Sequence, residues 1–395
     1  MTRRGRLALA LGVFTYVAAW AFGSRALYPA AVGLLLAVLA AWLAVRVTSR
    51  PVALRRTLRS EPIEGDDVKV RVELELESGR APAALTLVES YARLGERRTT
   101  LQREGSHLWS RYELWGVPRG RYPVEAKVVV EDPFGLERTE IPLGRQPALV
   151  VYPRLVALDR LFSEAGVHAR DGRRVLLQRP SGFDVHSVRE YVEGDSLRKV
   201  HWRSTARRSR LMVRELEDSP RDELAVVLDA HRGCVVGESF DVAVRAAGSI
   251  VHAFAQRGRR AALVIGRAVP QVQRVHAEGD WRRALELLAA AEADGDLPPE
   301  RLLAGDRTPA ALALDLVVVT SRLPGGLVEQ LTQRALSRRS TALVYVDAAS
   351  WNGRAHQEPA LLRLEAAGVA VAVLRRGDDL ARALGAQALA EVAHA

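Results

Sequence analysis

Lysine is nearly missing from this 395-residue chain: Lys69, Lys127 and Lys199 are three among 57 basic residues, and arginine supplies the rest. The net charge of +10 is therefore an arginine charge, set in a chain rich in alanine and leucine. That skew has the look of GC-rich coding, so we read the charge as a solvated basic surface, without a nucleic-acid partner. Cysteine is reduced to Cys234, which excludes an intramolecular disulfide and suits a reducing compartment. Cys234 follows a predicted strand, so a buried structural thiol is expected there. No pair of histidines or cysteines has metal-ligand spacing. No serine, cysteine or histidine stands beside an evident base and orienting group, so no catalytic residue is assigned. Glycine-rich phosphate loops are lacking too: the Gly266 region has the wrong spacing, and Gly325-Gly326 reads as a turn before a helix.

What is present begins with two charge-free apolar runs, residues 7–23 and 26–45. Each is near the roughly 20 residues that a spanning helix needs. The Ser24-Arg25 gap allows only a tight turn. Residues 1–50 are therefore expected to form a transmembrane hairpin, with Tyr16, Trp20 and Tyr28 as interfacial anchors. A cleaved signal peptide fits worse, because a second apolar run follows almost at once. Arg3, Arg4 and Arg6 precede the first run; Arg46, Arg50, Arg55, Arg56 and Arg59 follow the second; Arg25 alone lies between. The positive-inside rule then places both ends, and everything from about Val47 onward, in the cytoplasm.

Residues 51–153 read as a β-rich module. Val68, Val70, Val72, Leu74 and Leu76 alternate with charged residues, and Val124, Ala126, Val128 and Val130 repeat the pattern. Period two at that length predicts half-buried strands. Further strands are expected at 85–91, 108–115, 136–142 and 149–152. Turns are expected at Pro118-Arg119-Gly120, Asp132-Pro133-Phe134-Gly135 and Leu143-Gly144. Short strands with regular turns predict a sandwich or small barrel. In the second turn Pro133 fixes φ, Gly135 permits positive φ, and Phe134 is expected to plug the sandwich end.

Residues 154–221 form a linking segment around the most distinctive stretch, 182–215. There Arg189-Glu190-Tyr191 lies in a predicted strand at 188–192, Gly194 turns the chain, and Asp195 caps a helix from Ser196. On that helix Arg198, Trp202 and Ala206 share a face, with Arg203 and Arg207 on the neighbouring ridge. Arginines so placed can stack on Trp202 or grip carboxylates, with Glu190, Glu193 and Asp195 as internal partners in the plainer reading. Three readings stay open: a salt-bridge network, a surface for an acidic partner, and acid–base work by Glu190, Asp195 and His201. The partner surface would comprise Arg189, Glu190, Tyr191, Asp195, Arg198, Trp202, Arg203 and Arg207.

Residues 222–395 alternate strand and helix. Strands are expected at 224–228, 261–265, 314–320, 342–346 and 369–374. Helices are expected at 240–254, 281–291, 327–336, 359–367 and from Asp378. The stretch from Asp294 to Pro309 is expected to be a connecting loop. The alternation predicts a doubly wound sheet with right-handed crossovers. Ligands of such sheets bind beyond the C-terminal strand ends, which points to Asp229.

The ordered landmarks Arg119-Gly120-Arg121-Tyr122, Asp132-Pro133-Phe134-Gly135-Leu136 and Val151-Tyr152-Pro153-Arg154 resemble those of the DUF58 family. So does the Arg189-Glu190-Tyr191, Gly194-Asp195, Arg198, Trp202, Ala206-Arg207 series. The resemblance implies a bacterial membrane protein with a von Willebrand A-like α/β domain, working beside a MoxR-type AAA+ ATPase. That fold often carries Asp-x-Ser-x-Ser at the first strand end, holding magnesium with an open site for a partner's carboxylate. Here the stretch reads Asp229-Ala230-His231-Arg232-Gly233, and a later strand ends in Thr320-Ser321-Arg322, where an acidic residue would be usual. The strand-end set Asp229, His231, Gly233 and Thr320 is thus read as a degenerate, metal-free site. The expectation is a multidomain, membrane-anchored adaptor with no cofactor. The competing class is a metal-dependent hydrolase acting near the membrane.

Overall fold

The computed structural model describes residues 1–48, 50–77, 83–104, 107–158, 187–191, 200, 202–215, 223–267, 269–276, 278–304, 308–337, 339–354 and 358–385. The chain divides into two units, Met1–Tyr152 and Pro153–Ala395.

The first unit opens with α1 (Arg3–Ala21) and α2 (Leu27–Val47). Thr2 caps α1: its hydroxyl oxygen accepts from Gly5 N at 3.0 Å. The helices lie antiparallel, with Gly12 against Leu34 and Leu35, and the Tyr16 and Tyr28 rings edge to face at 5.4 Å. Their outer faces stay apolar and exposed, from Leu7, Phe14 and Trp20 on α1 to Leu36, Leu39 and Leu43 on α2. Among the described residues α2 is the one helix long and apolar enough to cross a membrane, with mean hydropathy 2.3. The first turn of α1 instead carries Arg3, Arg4 and Arg6.

Among the described residues eight strands follow: β1 (Pro51–Leu58), β2 (Val68–Leu76), β3 (Ala84–Tyr91), β4 (Gly95–Thr100), β5 (Gln102–Glu104), β6 (His107–Leu114), β7 (Gly120–Glu131) and β8 (Arg138–Val151). They pair antiparallel in two sheets, β1-β2-β6-β5 and β4-β3-β7-β8. Period-two alternation turns Val70, Val72 and Leu74 of one sheet and Leu87, Val124 and Val128 of the other into one core. The sandwich matches the sequence expectation, with three corrections. Leu143-Gly144 is a bulge within a single 14-residue strand, not a turn between two. Ala126 pairs with Gly144 and Lys127 with Pro142, so Leu143 is the extra residue, and Gly144 takes φ +72°. Strands β1, β4 and β5 were not expected, because β4 and β5 are almost wholly polar and exposed. Phe134 plugs nothing: it is 70% exposed. The buried residue of that turn is Asp132, whose carboxylate accepts from Phe134 N at 2.8 Å and Glu137 N at 2.5 Å and so holds the ring outward. The buried ring at the other end of β7 is Tyr122, whose hydroxyl donates to Pro118 O at 2.8 Å. Gly120 makes room for it; a Cβ there would lie 2.9 Å from the ring.

The second unit contains β9 (Ser187–Glu190), α3 (Trp202–Arg208) and β10 (Met212–Glu215), with β9 and β10 antiparallel. Then come β11 (Leu224–Leu228), α4 (Ser239–Gln256), β12 (Ala261–Ile265), β13 (Gln271–Val275), α5 (Glu278–Ala290), α6 (Pro299–Ala304), α7 (Pro309–Leu312), β14 (Asp315–Thr320), α8 (Gly325–Leu336), β15 (Ser340–Val346), α9 (Pro359–Ala366), β16 (Ala370–Leu374) and α10 (Leu380–Leu384). The sheet order is β13-β12-β11-β14-β15-β16. All its pairs are parallel except β12 with β13. Residues of β11 are buried throughout, as a central strand covered on both faces requires. Phe240, Ile250, Leu288 and Leu384 pack on one face; Leu302, Leu327, Leu331 and Leu364 pack on the other. The doubly wound arrangement was expected; the antiparallel edge strand β13 was not. Nor is the stretch from Asp294 to Pro309 a bare loop, for it contains α6, with Leu302 and Leu303 buried.

Candidate functional site

In a doubly wound sheet the parallel strands end on one rim, where their following loops converge. That rim carries Asp229 after β11, Arg267 after β12, Thr320 and Arg322 at and after the end of β14, Asp347 after β15 and Arg375 after β16. Asp229 is 1% exposed. Its Oδ1 accepts from His231 N at 3.0 Å; its Oδ2 accepts from Thr320 Oγ1 at 2.7 Å and Cys234 Sγ at 3.1 Å. His231 Nδ1 accepts from Gly233 N at 2.9 Å and closes the turn over Arg232–Cys234. Ser321 Oγ donates to Cys234 O at 2.9 Å, tying the β11 loop to the β14 loop. Burial pushes the Cys234 thiol up to about 11, and the Asp229 charge adds to the shift.

Three of the four expected strand-end residues therefore meet in one hydrogen-bonded cluster, Asp229, His231 and Thr320, with Gly233 contributing its backbone. The donor set does not fit magnesium. That ion needs several oxygen ligands in octahedral array. Both Asp229 oxygens already accept from protein donors, and His231 and Gly233 stand at the two serine positions. Among the described residues no group of three or more His, Cys, Asp or Glu side chains could hold a metal. A guanidinium faces the turn instead: a Cβ on Gly233 would lie 3.4 Å from Arg322 Nη1.

Most of the rim arginines have carboxylate partners. Arg232 grips Asp296 by two contacts of 2.7 Å. Arg267 grips Asp294 through Nε at 2.8 Å and through Nη2, and holds that carboxyl below the usual range. Arg375 Nε lies 3.7 Å from Asp347 Oδ2. Arg322 differs. It is half-buried, its Nε is buried without a hydrogen-bond partner, and no carboxylate among the described residues pairs with it. The sequence marks Arg322 only as the lack of an acidic residue; its positive contribution depends on the β11 and β14 loops meeting, which adjacent numbering does not reveal.

The Arg-Glu-Tyr segment is placed in part. Arg189 lies in β9 opposite Val213, and Glu190 opposite Met212. Glu190 is exposed and pairs with Arg210 at 2.9 Å, a partner the sequence reading did not name. Tyr191 is half-buried, and its N donates to Leu211 O at 2.9 Å. Trp202, 68% exposed, begins α3, and Arg203 and Arg207 are exposed on the same helix. Asp195, Arg198 and His201 lie outside the described residues.

Residues 187–322 match the family model described as "Protein of unknown function DUF58". The match runs from β9 to Arg322 and so takes in both the Arg-Glu-Tyr segment and the rim. The chain is 29% identical over 218 residues to the "Uncharacterized protein YeaD" of Bacillus subtilis (strain 168). That alignment covers 54% of this chain and 53% of the relative, so the chain spans about half the length of the curated protein it matches. A solved DUF4466 family protein from Parabacteroides merdae ATCC 43184 shares 14% identity over 25% of this chain and 44% of that chain. Its TM-score of 0.14 carries no argument about fold or function.

Proposed function

We propose that this chain, whose residues 187–322 match the DUF58 model of unknown function, is a membrane-held, non-catalytic scaffold of that type that docks an acidic protein partner. Arg322 is the observation that carries this reading. A half-buried guanidinium with no carboxylate partner among the described residues is an incomplete pair, and an Asp or Glu side chain from a partner completes it with charge-assisted hydrogen bonds. In the von Willebrand A-like reading of this sheet, the guanidinium takes the part that magnesium plays elsewhere. The exposed Trp202, Arg203 and Arg207 on α3 supply a second patch, of the aromatic and arginine composition that interfaces favour. A MoxR-type AAA+ ATPase is the partner class the family resemblance suggests. Helices α1 and α2 cross the membrane as a hairpin in this reading. Their exposed apolar outer faces and the arginines flanking both ends support it, with the two folded units on the cytoplasmic side.

The test is affinity recovery from solubilised membranes with the full-length chain. Wild type is expected to retain a protein partner. Arg322→Gln is expected to retain about tenfold less, the loss of one charge-assisted contact, and an Arg203→Glu, Arg207→Glu double variant less again. Equal recovery by all three proteins would count against the scaffold. Stoichiometric divalent metal that disappears in Asp229→Ala would favour the hydrolase class instead.

A further inference from the structure

The turn after β7 and the start of α1 are built as one piece. Thr2 N donates to Leu136 O at 3.1 Å, and Thr2 Oγ1 donates to Gly135 O at 2.7 Å. Gly5 permits the approach: a Cβ there would stand 2.1 Å from the carbonyl oxygen of Leu136, a backbone atom that cannot swing aside. Asp132 fixes the turn from within. The outcome is an exposed phenylalanine at a rigid tip beside a helix start that carries exposed Arg3, Arg4 and Arg6.

We propose that this turn is a bilayer contact: Phe134 enters the headgroup boundary of the inner leaflet while the three arginines meet lipid phosphates, so the sandwich is clamped to the membrane surface. The inference rests on the membrane-spanning reading of α1 and α2 and adds to it. Beyond its arginine turn α1 enters the charge-free run of residues 7–23, near the short end of the roughly 17–25 residues that a spanning helix uses. A helix of that length that crosses the bilayer leaves its first turn at the inner surface. A turn hydrogen-bonded to Thr2 lies at the same depth. An apolar ring with flanking arginines is the composition that interfacial anchors use, and the leaflet facing the cytoplasm supplies the opposite charge. Trp115 is an internal contrast. It is 68% exposed but sits before β7, whereas Phe134 sits after it. Twelve residues of strand put these rings about 40 Å apart, so Trp115 serves as an exposed aromatic reference far from the turn.

The experiment uses full-length chain in lipid discs of phosphatidylglycerol and phosphatidylethanolamine. Nitroxides are placed singly by Phe134→Cys, Trp115→Cys and Leu36→Cys in a Cys234→Ser background. Collisions with oxygen, which concentrates in lipid, are compared with collisions with a water-soluble nickel chelate. Position 134 is expected to favour oxygen and position 115 the chelate, with position 36 favouring oxygen most strongly. If 134 matches 115 while 36 reads as lipid, the clamp is overturned and the spanning helices stand. If 36 itself reads as aqueous, the membrane reading fails and the clamp with it. A label at 134 shielded from both reagents means that protein covers the turn, which also overturns the clamp. Gly5→Val, which forces the turn off the helix, is expected to shift 134 toward the chelate and leave 36 unchanged; no shift at 134 would overturn the clamp.

Discussion

Two carboxylates are buried to the same degree in this protein and are treated in opposite ways. Glu89 and Asp229 are each 1% exposed. Glu89 lies on the inner face of β3, where alternation calls for an apolar residue. Arg56, from β1 of the facing sheet, ion-pairs with it, and Tyr112 donates to its other oxygen. Arg56 Nη1 also donates to Pro147 O at 2.9 Å, and Tyr91 is hydrogen-bonded to Tyr112. Burial, reinforced by the Glu89 charge, pushes the Tyr91 hydroxyl up to about 12 and raises Tyr112 further, so both stay protonated. Among the described residues Asp229 is met by neutral donors only, and the nearby Arg322 stays out of ion-pair contact. A charge cancelled inside the core serves the fold, here by fixing how the two sheets face each other. A charge left over at a strand-end rim is available to something else.

The largest expected effect follows from breaking the cancelled pair. Glu89→Ala leaves the largely buried Arg56 guanidinium without its counter-charge, a loss of about 3–5 kcal/mol for a pair broken at one partner. Hydrogen exchange of β3 and β7 amides in the full-length chain should report it. Adding Arg56→Met should restore most of the protection, because replacing both charges removes the naked one. A double variant as unstable as the single would mean that the pair is not the reason for the cost.

Asp229→Ala should cost less. It strands the Cys234 thiol and the His231 N–H and leaves the Thr320 hydroxyl only Arg322 O at 3.1 Å; unmet neutral donors cost about 1–3 kcal/mol in such settings. Exchange should quicken at the ends of β11 and β14 but not in the sandwich, and Asp229→Asn should recover part of the loss. A cost equal to that of Glu89→Ala would erase the distinction between the two sites.

The sequence made much of this visible where one period dominates. Val68–Leu76 and residues 122–128 alternate cleanly, and Leu224–Leu228 is a continuous apolar run, so sandwich and sheet both follow from pattern. The same pattern hid Glu89, an acidic residue at an inward position of the expected strand, because its partner Arg56 lies 33 residues away. Phe134 misled for a related reason: aromatic character predicts burial, but the hydrogen bonds of Asp132 decide which way the turn faces. At the rim, Asp229 was legible from its place at a strand end. Its partners were not, since Thr320 Oγ1 comes from 91 residues away and depends on β14 pairing with β11.

The smallest effect is read from Cys234, whose thiol reports the charges around the rim. A free thiol ionises near 8.5, and burial raises this one to about 11. Folding therefore favours the protonated form; that contribution to stability is complete below about pH 8.5 and is lost as the pH rises toward 11. Alkylation of the native chain at pH 8.5 should be slower than that of a free cysteine by about two orders of magnitude, following the thiolate fraction. Removing the negative charge in Asp229→Ala should lower the thiol pKa and speed the reaction. Removing the positive charge in Arg322→Gln should raise it and slow the reaction further, because Arg322 is the cation that opposes the upward shift. Opposite signs for the two variants would show both charges acting on one closed cluster. A wild-type thiol that reacts like free cysteine would mean the rim is open to solvent, and the contrast with the sealed Glu89 network would then lie in access as well as in charge.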